Sequence, residues 1–281
     1  MPVLHRIQLD PIVSRALEED WGHGDWTTDL CVAEDSYATA KIITKQPNIV
    51  ASGVEVAIRV FEKVDPDLKI VQHAENGQEL KAGDLIIEIA GKSRSILKAE
   101  RVALNFLGRL SGIATETKKY VRLLEGTETQ LLDTRKTTPG LRLLEKSATV
   151  VGGARNHRLC LTDGVMVKEN HIRAAGGITE ALNRLVESLP PTLKIEVETT
   201  NLDEVQEAIE AGADLIMLDN MSISEMALAV RTVRGRALLE ASGNITLDNL
   251  RQVAETGVNF VSTSAILHSS KWADLSLLFN V

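Results

Sequence analysis

Between Arg135 and His171 the 281-residue chain sets seven cations (Arg135, Lys136, Arg142, Lys146, Arg155, Arg158 and Lys168) against three acids (Glu145, Asp163 and Glu169), a local balance of +4. The whole chain is formally −8. Guanidinium forks capture carboxylate or phosphate at two points, whereas a nucleic acid needs a broad basic surface that an acidic chain does not offer. The cluster therefore points to a small anion. Taken singly each cation is an ordinary solvated loop charge, but Arg135, Lys136, Arg158 and Lys168 all fall beside apolar runs that read as strands. Acids follow at even spacing: Glu198, Asp219 and Glu240 close three apolar runs 21 residues apart, and Ser262 comes 22 later. Glu198 and Asp219, facing phosphate-binding cations, suit Mg²⁺ or a sugar diol, or else neutralise Lys136 and Lys168. Ser242, Gly243 and Asn244, and Ser262, Thr263, Ser264 and Ala265, supply small residues with free backbone N–H groups after two further runs. They fit a phosphate cradle as well as plain turns.

Other chemistry is thinly represented. His157 lies inside the cationic segment and could donate to an anionic substrate; His5, His23, His73 and His268 have no evident partners. There is no HExxH zinc motif, GHGDWT lacks the third glycine of a dinucleotide fingerprint, and no P-loop is present. No serine or cysteine has a nucleophile's setting, so the expected chemistry works by charge and positioning. Cys31 and Cys160 are 129 positions apart without metal spacing, the usage of reduced thiols in a cytoplasmic protein. The N-terminus carries charges and a proline rather than an export leader's apolar run, and no segment reaches the roughly 18 apolar residues of a membrane span.

The elements that must position these residues fall into two regions. SRALEED and GVEVAIRVFEKV have helical spacing, while YATAKIITK and DLIIEIAG alternate like half-buried strands, an α+β pattern. A helix from about Ser95 to Leu124 follows as a bridge, with Gly108 and Gly112 as bends or close-packing points. From Glu128 onward six short apolar strands alternate with helices, which implies a parallel sheet with right-handed crossovers. Residues 201–220 and 246–265 repeat one another, pairing Leu202 with Leu247, Asp203 with Asp248 and Gly212 with Gly257. Repeated βα units suggest a barrel, whose active sites form at the C-terminal strand ends. A full barrel needs eight strands, so either one or two escape notice or the barrel is incomplete.

ERVALNFLGRLSGIAT (100–115), LLDTRKTTPGLRLLEK (131–146), NHRLCLTDGVMVKENH (156–171), IEVE (195–198), IMLDN (216–220), EASGN (240–244) and STSAILHS (262–269), with EEDWGHGDWTTDL (18–30), resemble the quinolinate phosphoribosyltransferases, the carboxylating nicotinate-nucleotide pyrophosphorylases. The resemblance spans nearly the whole chain. It implies an α/β protein of the type II phosphoribosyltransferase kind: an N-terminal α/β sandwich over 1–115, with 270–281 packed on it, and a TIM-like incomplete (β/α) barrel over 116–269. It implies transfer of phosphoribosyl from phosphoribosyl pyrophosphate to quinolinate with loss of CO₂, using Mg²⁺, in a homodimer. Arg135, His157 and Arg158 would surround the quinolinate carboxylates with Thr137 beside them, and Arg101 would arrive from the neighbouring subunit. Lys136 and Lys168 would meet pyrophosphate or carboxylate oxygens, Glu198 and Asp219 the ribose hydroxyls and metal; Lys136, Lys168, Glu198 and Asp219 would be the catalytic set. Ser242, Gly243, Asn244 and the 262–265 turn would take the 5′-phosphate. Ser264 departs from the glycine usual in that turn, and its Cβ could hinder a phosphate's approach.

Three other readings stay open. A related molybdenum-transport-associated group shares the DTRKT and HR motifs, though Lys168 in VKENH separates the two. A barrel aldolase would use Lys168 as a Schiff-base lysine, and a non-catalytic phosphosugar-binding barrel would bind without turnover.

Overall fold

A computed structural model describes residues 4–280. Residues 1–3 and 281, inside the expected domain limits, lie outside the described range. The chain runs α1 (Arg6–Trp21), α2 (Trp26–Cys31), β1 (Tyr37–Thr44), β2 (Ile49–Val50), α3 (Val54–Val64), β3 (Lys69–Gln72), β4 (Glu79–Leu80), β5 (Leu85–Lys92) and α4 (Ser93–Leu123). It continues through β6 (Gln130–Leu132), α5 (Arg142–Val151), β7 (Val165–Val167), α6 (Glu169–Ala175), α7 (Ile178–Ser188), β8 (Ile195–Thr199), α8 (Leu202–Glu210), β9 (Leu215–Asp219), α9 (Ile223–Val233), β10 (Leu238–Ser242), α10 (Leu250–Ala254), β11 (Phe260–Ser262), α11 (Ala265–His268) and β12 (Leu275–Asn280).

The first compact unit comprises residues 1–118, 138–152 and 270–281. Its sheet has the order β12-β1-β5-β3, all antiparallel. Alternate side chains of β1 are buried, which is how a strand lays one face on a core and the other toward solvent. On α3, Val56, Val60 and Phe61 are fully buried, spaced four and one apart so that a single helical face meets the core. Gly108 and Gly112 are close-packing points. A Cβ on Gly112 would overlap the carbonyl of Lys271, and one on Gly108 would come within 3.1 Å of the carbonyl of Ala273. The glycine spacing thus lets the chain at 271–273 cross α4 at backbone distance.

Residues 138–152, which follow the expected boundary after residue 115, group with the first unit. The reason is packing. Leu144 and Ala148 of α5 are each 1% exposed, and Glu145, wholly buried, accepts from Nε and Nη2 of Arg109 on α4 at 2.9 and 2.8 Å. Gly152 at the end of α5 sits against Ala114 and Thr117 of α4, leaving no room for a Cβ. A βα pattern in sequence does not say which sheet or helix the intervening helix covers.

The second unit, residues 119–137 and 153–269, is built on a parallel sheet of order β6-β11-β10-β9-β8-β7. Each strand from β7 to β11 lies beside the next in sequence, and β6 closes onto β11, the order of a (β/α) barrel. Among the described residues six strands take part, not eight, and β6 and β7 do not pair. The barrel is open there, and only an isolated parallel bridge from Leu132 to Arg155 extends the β6 edge. The internal repeat is imperfect. Helix α8 starts at Leu202, its Asn201 cap accepting from the Glu204 N–H at 2.9 Å, but the matching α10 starts only at Leu250. Residues 246–249 form a turn instead, in which Asn249 accepts from the Thr246 N–H at 2.9 Å and donates to the Asn244 carbonyl at 2.9 Å.

Candidate active site

Because side chains alternate across a strand, residues two apart share the barrel interior. Met166 and Lys168, Glu196 and Glu198, Met217 and Asp219, and Glu240 and Ser242 are such pairs at the C-terminal halves of four strands. With the turns after β6 and β11 all of these except Glu196, which lies deeper in β8, enclose a cavity of ≈ 840 Å³. Arg135, Lys136, His157, Arg158, Lys168, Glu198, Asp219, Ser242, Gly243, Asn244, Ser262, Thr263, Ser264 and Ala265 all line it. Thr137 does not, and Arg101 was expected only from a neighbouring subunit. Thr137 bonds back to the Arg135 carbonyl through its N–H at 2.9 Å, and Arg101 is exposed on α4 in the first unit.

The cationic cluster divides accordingly. Arg142 and Lys146 belong to α5 and the first unit, and Lys146 is only 2% exposed there. Arg155 donates to Gln130 at 2.7 Å and lies 5.8 Å over the Phe260 ring, a cation on an aromatic face. Four cations remain at the cavity. Lys168 precedes the first turn of α6, where its N–H donates to Nδ1 of His171 at 3.0 Å; its ammonium stands 3.3 Å from Oε2 of Glu198. A half-exposed lysine paired with a carboxylate is unlike the desolvated lysine a Schiff-base enzyme needs. Burial, then the charge of Arg135, lowers the pKa of Arg158, which marks two guanidinium groups gathered in one partly desolvated place.

The even spacing of Glu198, Asp219 and Glu240 suggested a single rim, and register and burial together correct this for Glu240. Asp219 pairs with Ser242, whereas Glu198 and Glu240 both pair with Met217, so register sets the two glutamates alike one inward step from Asp219, and what distinguishes Glu240 is its burial. It is wholly buried. Burial, then the adjacent charge of Glu196, pushes its carboxyl up to about 7. Glu196 had gone unassigned, although the alternation in IEVE puts it on the same face as Glu198. Both acids meet His157: Nε2 lies 3.0 Å from Oε2 of Glu196 and 3.6 Å from Oε2 of Glu240. The other ring nitrogen, Nδ1, accepts the Arg158 N–H at 2.7 Å. Nδ1 is thus taken by the backbone, while Nε2 stands beside the two acids. His157, Glu196 and Glu240 are also, among the described residues, the one group of three whose ligand-type atoms lie within 4.8 Å of one another.

The turns expected to cradle phosphate are held by asparagines. Gly243 has φ +90°, a conformation glycine adopts freely, and a Cβ there would run into the Asn220 side chain. Asn220 and Asn244, themselves left-handed at φ 55° and 53°, are joined by Nδ2 of Asn244 donating to Oδ1 of Asn220 at 3.0 Å. Asn220 in turn donates to Oδ2 of Asp219 at 3.0 Å, so an acid and a loop backbone are set by one side chain. IMLDN contained this residue without marking its role. Ser264 adopts φ −88°, open to any residue, and its hydroxyl pairs with Nε2 of His268 at 3.0 Å. The Thr263 hydroxyl lies 3.3 Å from the Ile245 carbonyl, to which it donates, so it supports the turn.

The fold and cavity define a class, an open six-stranded (β/α) barrel with a cation-lined cavity at its C-terminal strand ends, accompanied by an α/β unit. Comparison with known proteins names the family. Residues 25–111 match the family described as quinolinate phosphoribosyl transferase, N-terminal domain, and residues 113–278 its C-terminal domain. A probable nicotinate-nucleotide pyrophosphorylase (carboxylating) of Synechocystis is 48% identical over 274 residues, 96% of this chain and 92% of that one. The chloroplastic nicotinate-nucleotide pyrophosphorylase (carboxylating) of Arabidopsis thaliana is 41% identical, over 96% of this chain and 82% of that one. The solved nicotinate-nucleotide pyrophosphorylase of Francisella tularensis superposes with a TM-score of 0.94 at 42% identity, over 99% and 98% of the two chains. The chain belongs to the quinolinate phosphoribosyltransferase family.

Proposed function

We propose that the protein transfers the phosphoribosyl group of phosphoribosyl pyrophosphate to quinolinate, releasing pyrophosphate and CO₂ and forming nicotinate mononucleotide for NAD synthesis. Supporting this, one cavity combines four cations, three acids (Glu198, Asp219 and the buried Glu240) and a left-handed glycine turn, the complement of a dicarboxylate beside a phosphorylated sugar. Arg135 and Arg158, with His157 packed beside them, hold the two carboxylates; Lys136 and Lys168 face the pyrophosphate or carboxylate oxygens. Ser242, Gly243, Asn244 and the 262–265 turn receive the 5′-phosphate.

Glu198 and Asp219 fit Mg²⁺. Both present hard carboxylate oxygens from neighbouring strands β8 and β9, without thiol or imidazole, the donor set magnesium prefers. Bound there with the sugar phosphate, Mg²⁺ would offset the charge of the departing pyrophosphate. The lysines act in the same sense, and the two carboxylates favour the positive charge that develops on the ribose C1 as the C–O bond breaks. The pyridine nitrogen supplies the electron pair for the new C–N bond. Once cationic, it stabilises the pair left on the ring when the 2-carboxylate departs as CO₂, and a proton then takes that position. The arginines must hold both carboxylates without over-stabilising the one that leaves.

We further propose a homodimer with a shared site, in which the exposed Arg101 of one subunit reaches the cavity of the other, and a cytoplasmic location. No helix among the described residues is long and apolar enough to cross a membrane. The deciding experiment incubates the protein with quinolinate, phosphoribosyl pyrophosphate and Mg²⁺ and follows CO₂ and mononucleotide. Turnover specific to quinolinate is expected; none with quinolinate, or equal turnover with nicotinate, would overturn the reading.

A further inference from the structure

Asp133 stands at the end of β6, wholly buried, next to the cationic loop but outside every role considered so far. Its Oδ1 accepts the His157 N–H at 2.8 Å and its Oδ2 accepts Nδ2 of Asn156 at 2.6 Å. Short bonds to a carboxyl oxygen are the strong ones, and these two engage consecutive residues of the open barrel edge, where β7 provides no strand partner. The next link is through the ring. His157 accepts the Arg158 N–H on Nδ1 at 2.7 Å, and its Nε2 lies 3.0 Å from Glu196 at 5% exposure. With Nδ1 accepting, the ring proton belongs on Nε2, the nitrogen that stands beside that carboxylate without a hydrogen bond to it. The guanidinium of Arg158 is then tied to the turn ahead, Nη1 donating to the Gly164 carbonyl at 2.9 Å.

We propose that Asp133 and Glu196 are positioning residues for dicarboxylate binding: Asp133 through the main chain of His157, Glu196 through its ring, together fix where Arg158 presents its fork. The inference rests on the functional reading above and deepens it. A planar guanidinium must meet both oxygens of a carboxylate at once, so a small rotation of the 156–158 segment is felt by the dicarboxylate and not by the 5′-phosphate, whose contacts come from the turns after β10 and β11.

The test is steady-state kinetics of Asp133→Asn, Glu196→Gln and the exchange pair Asp133→Asn with Asn156→Asp. In the exchange pair the 133 amide still accepts from the His157 N–H and donates to the new carboxylate at 156. Each single variant is expected to raise KM for quinolinate about tenfold or more. Its KM for phosphoribosyl pyrophosphate should stay within about twofold, and the exchange should recover most of the loss. Equal effects on both substrates, no effect from either single variant, or an exchange pair no better than Asp133→Asn would overturn the proposal. Should Asp133→Asn fail to fold, Glu196→Gln alone decides it by the same split. Absence of wild-type turnover is a distinct result that removes the functional reading itself, and this inference with it.

Discussion

Nε2 of His157 stands 3.6 Å from Oε2 of Glu240, a carboxylate with no solvent exposure, beneath a cavity that gathers four cations. With Glu196 on the same imidazole nitrogen at 3.0 Å, two acids compete for one partner, and burial raises Glu240 from 4.5 to about 7. A raised folded-state pKa means that the folded chain holds a proton the unfolded chain has released. The stabilising contribution is full below pH 4.5 and is lost as the pH rises through about 7. Denaturant unfolding of the wild type against Glu240→Gln at pH 5 and pH 8 should show the wild type losing more stability across that interval. Equal slopes would mean that Glu240 is ionised throughout.

The half-exposed Lys168 and the exposed Arg101 lie in different units, which makes the shared site testable by mixing. Lys168→Ala and Arg101→Ala should each be inactive. If the subunits exchange at random, a 1:1 mixture should regain about a quarter of wild-type activity, since about half the dimers carry one intact site. Recovery below about 5% after verified exchange would rule out complementation between subunits.

Gly243 leans on the Asn220 side chain at φ +90°. Gly243→Ala combines backbone strain of about 1–3 kcal/mol with a forced shift of Asn220. It should raise KM for phosphoribosyl pyrophosphate about tenfold or more, with KM for quinolinate less affected. Ser264→Gly, at φ −88°, should stay within about twofold on both. A large gain from Ser264→Gly would show that the Cβ obstructs the phosphate.

Gly112 passes the Lys271 carbonyl at a distance that admits no Cβ. Gly112→Ala should cost about 1–3 kcal/mol through overpacking, lowering Tm by several degrees while leaving KM for both substrates unchanged at low temperature. An unchanged Tm would mean that residues 271–273 yield without cost.

The amino-acid sequence by itself determined the strands of the barrel, because an apolar run between turn residues has few other ways to satisfy its backbone, and it determined which cations stand beside those runs. It also carried the family motifs, and so the chemistry. Tertiary structure alone decided the rest. Arg142 and Lys146 look like members of the cationic set until α5 packs on α4, and Glu240 looks like Asp219 until strand register sets it one step deeper. For Asp133 and Glu196 the local pattern gives a place on a strand but not a partner. Their partners lie 24 and 39 residues away from them at His157, and such meetings depend on how strands are staggered and where the barrel stays open. Residue type and spacing therefore named the groups that can do chemistry. Register and packing chose which of them face one another, because direction and burial are properties of the assembled sheet.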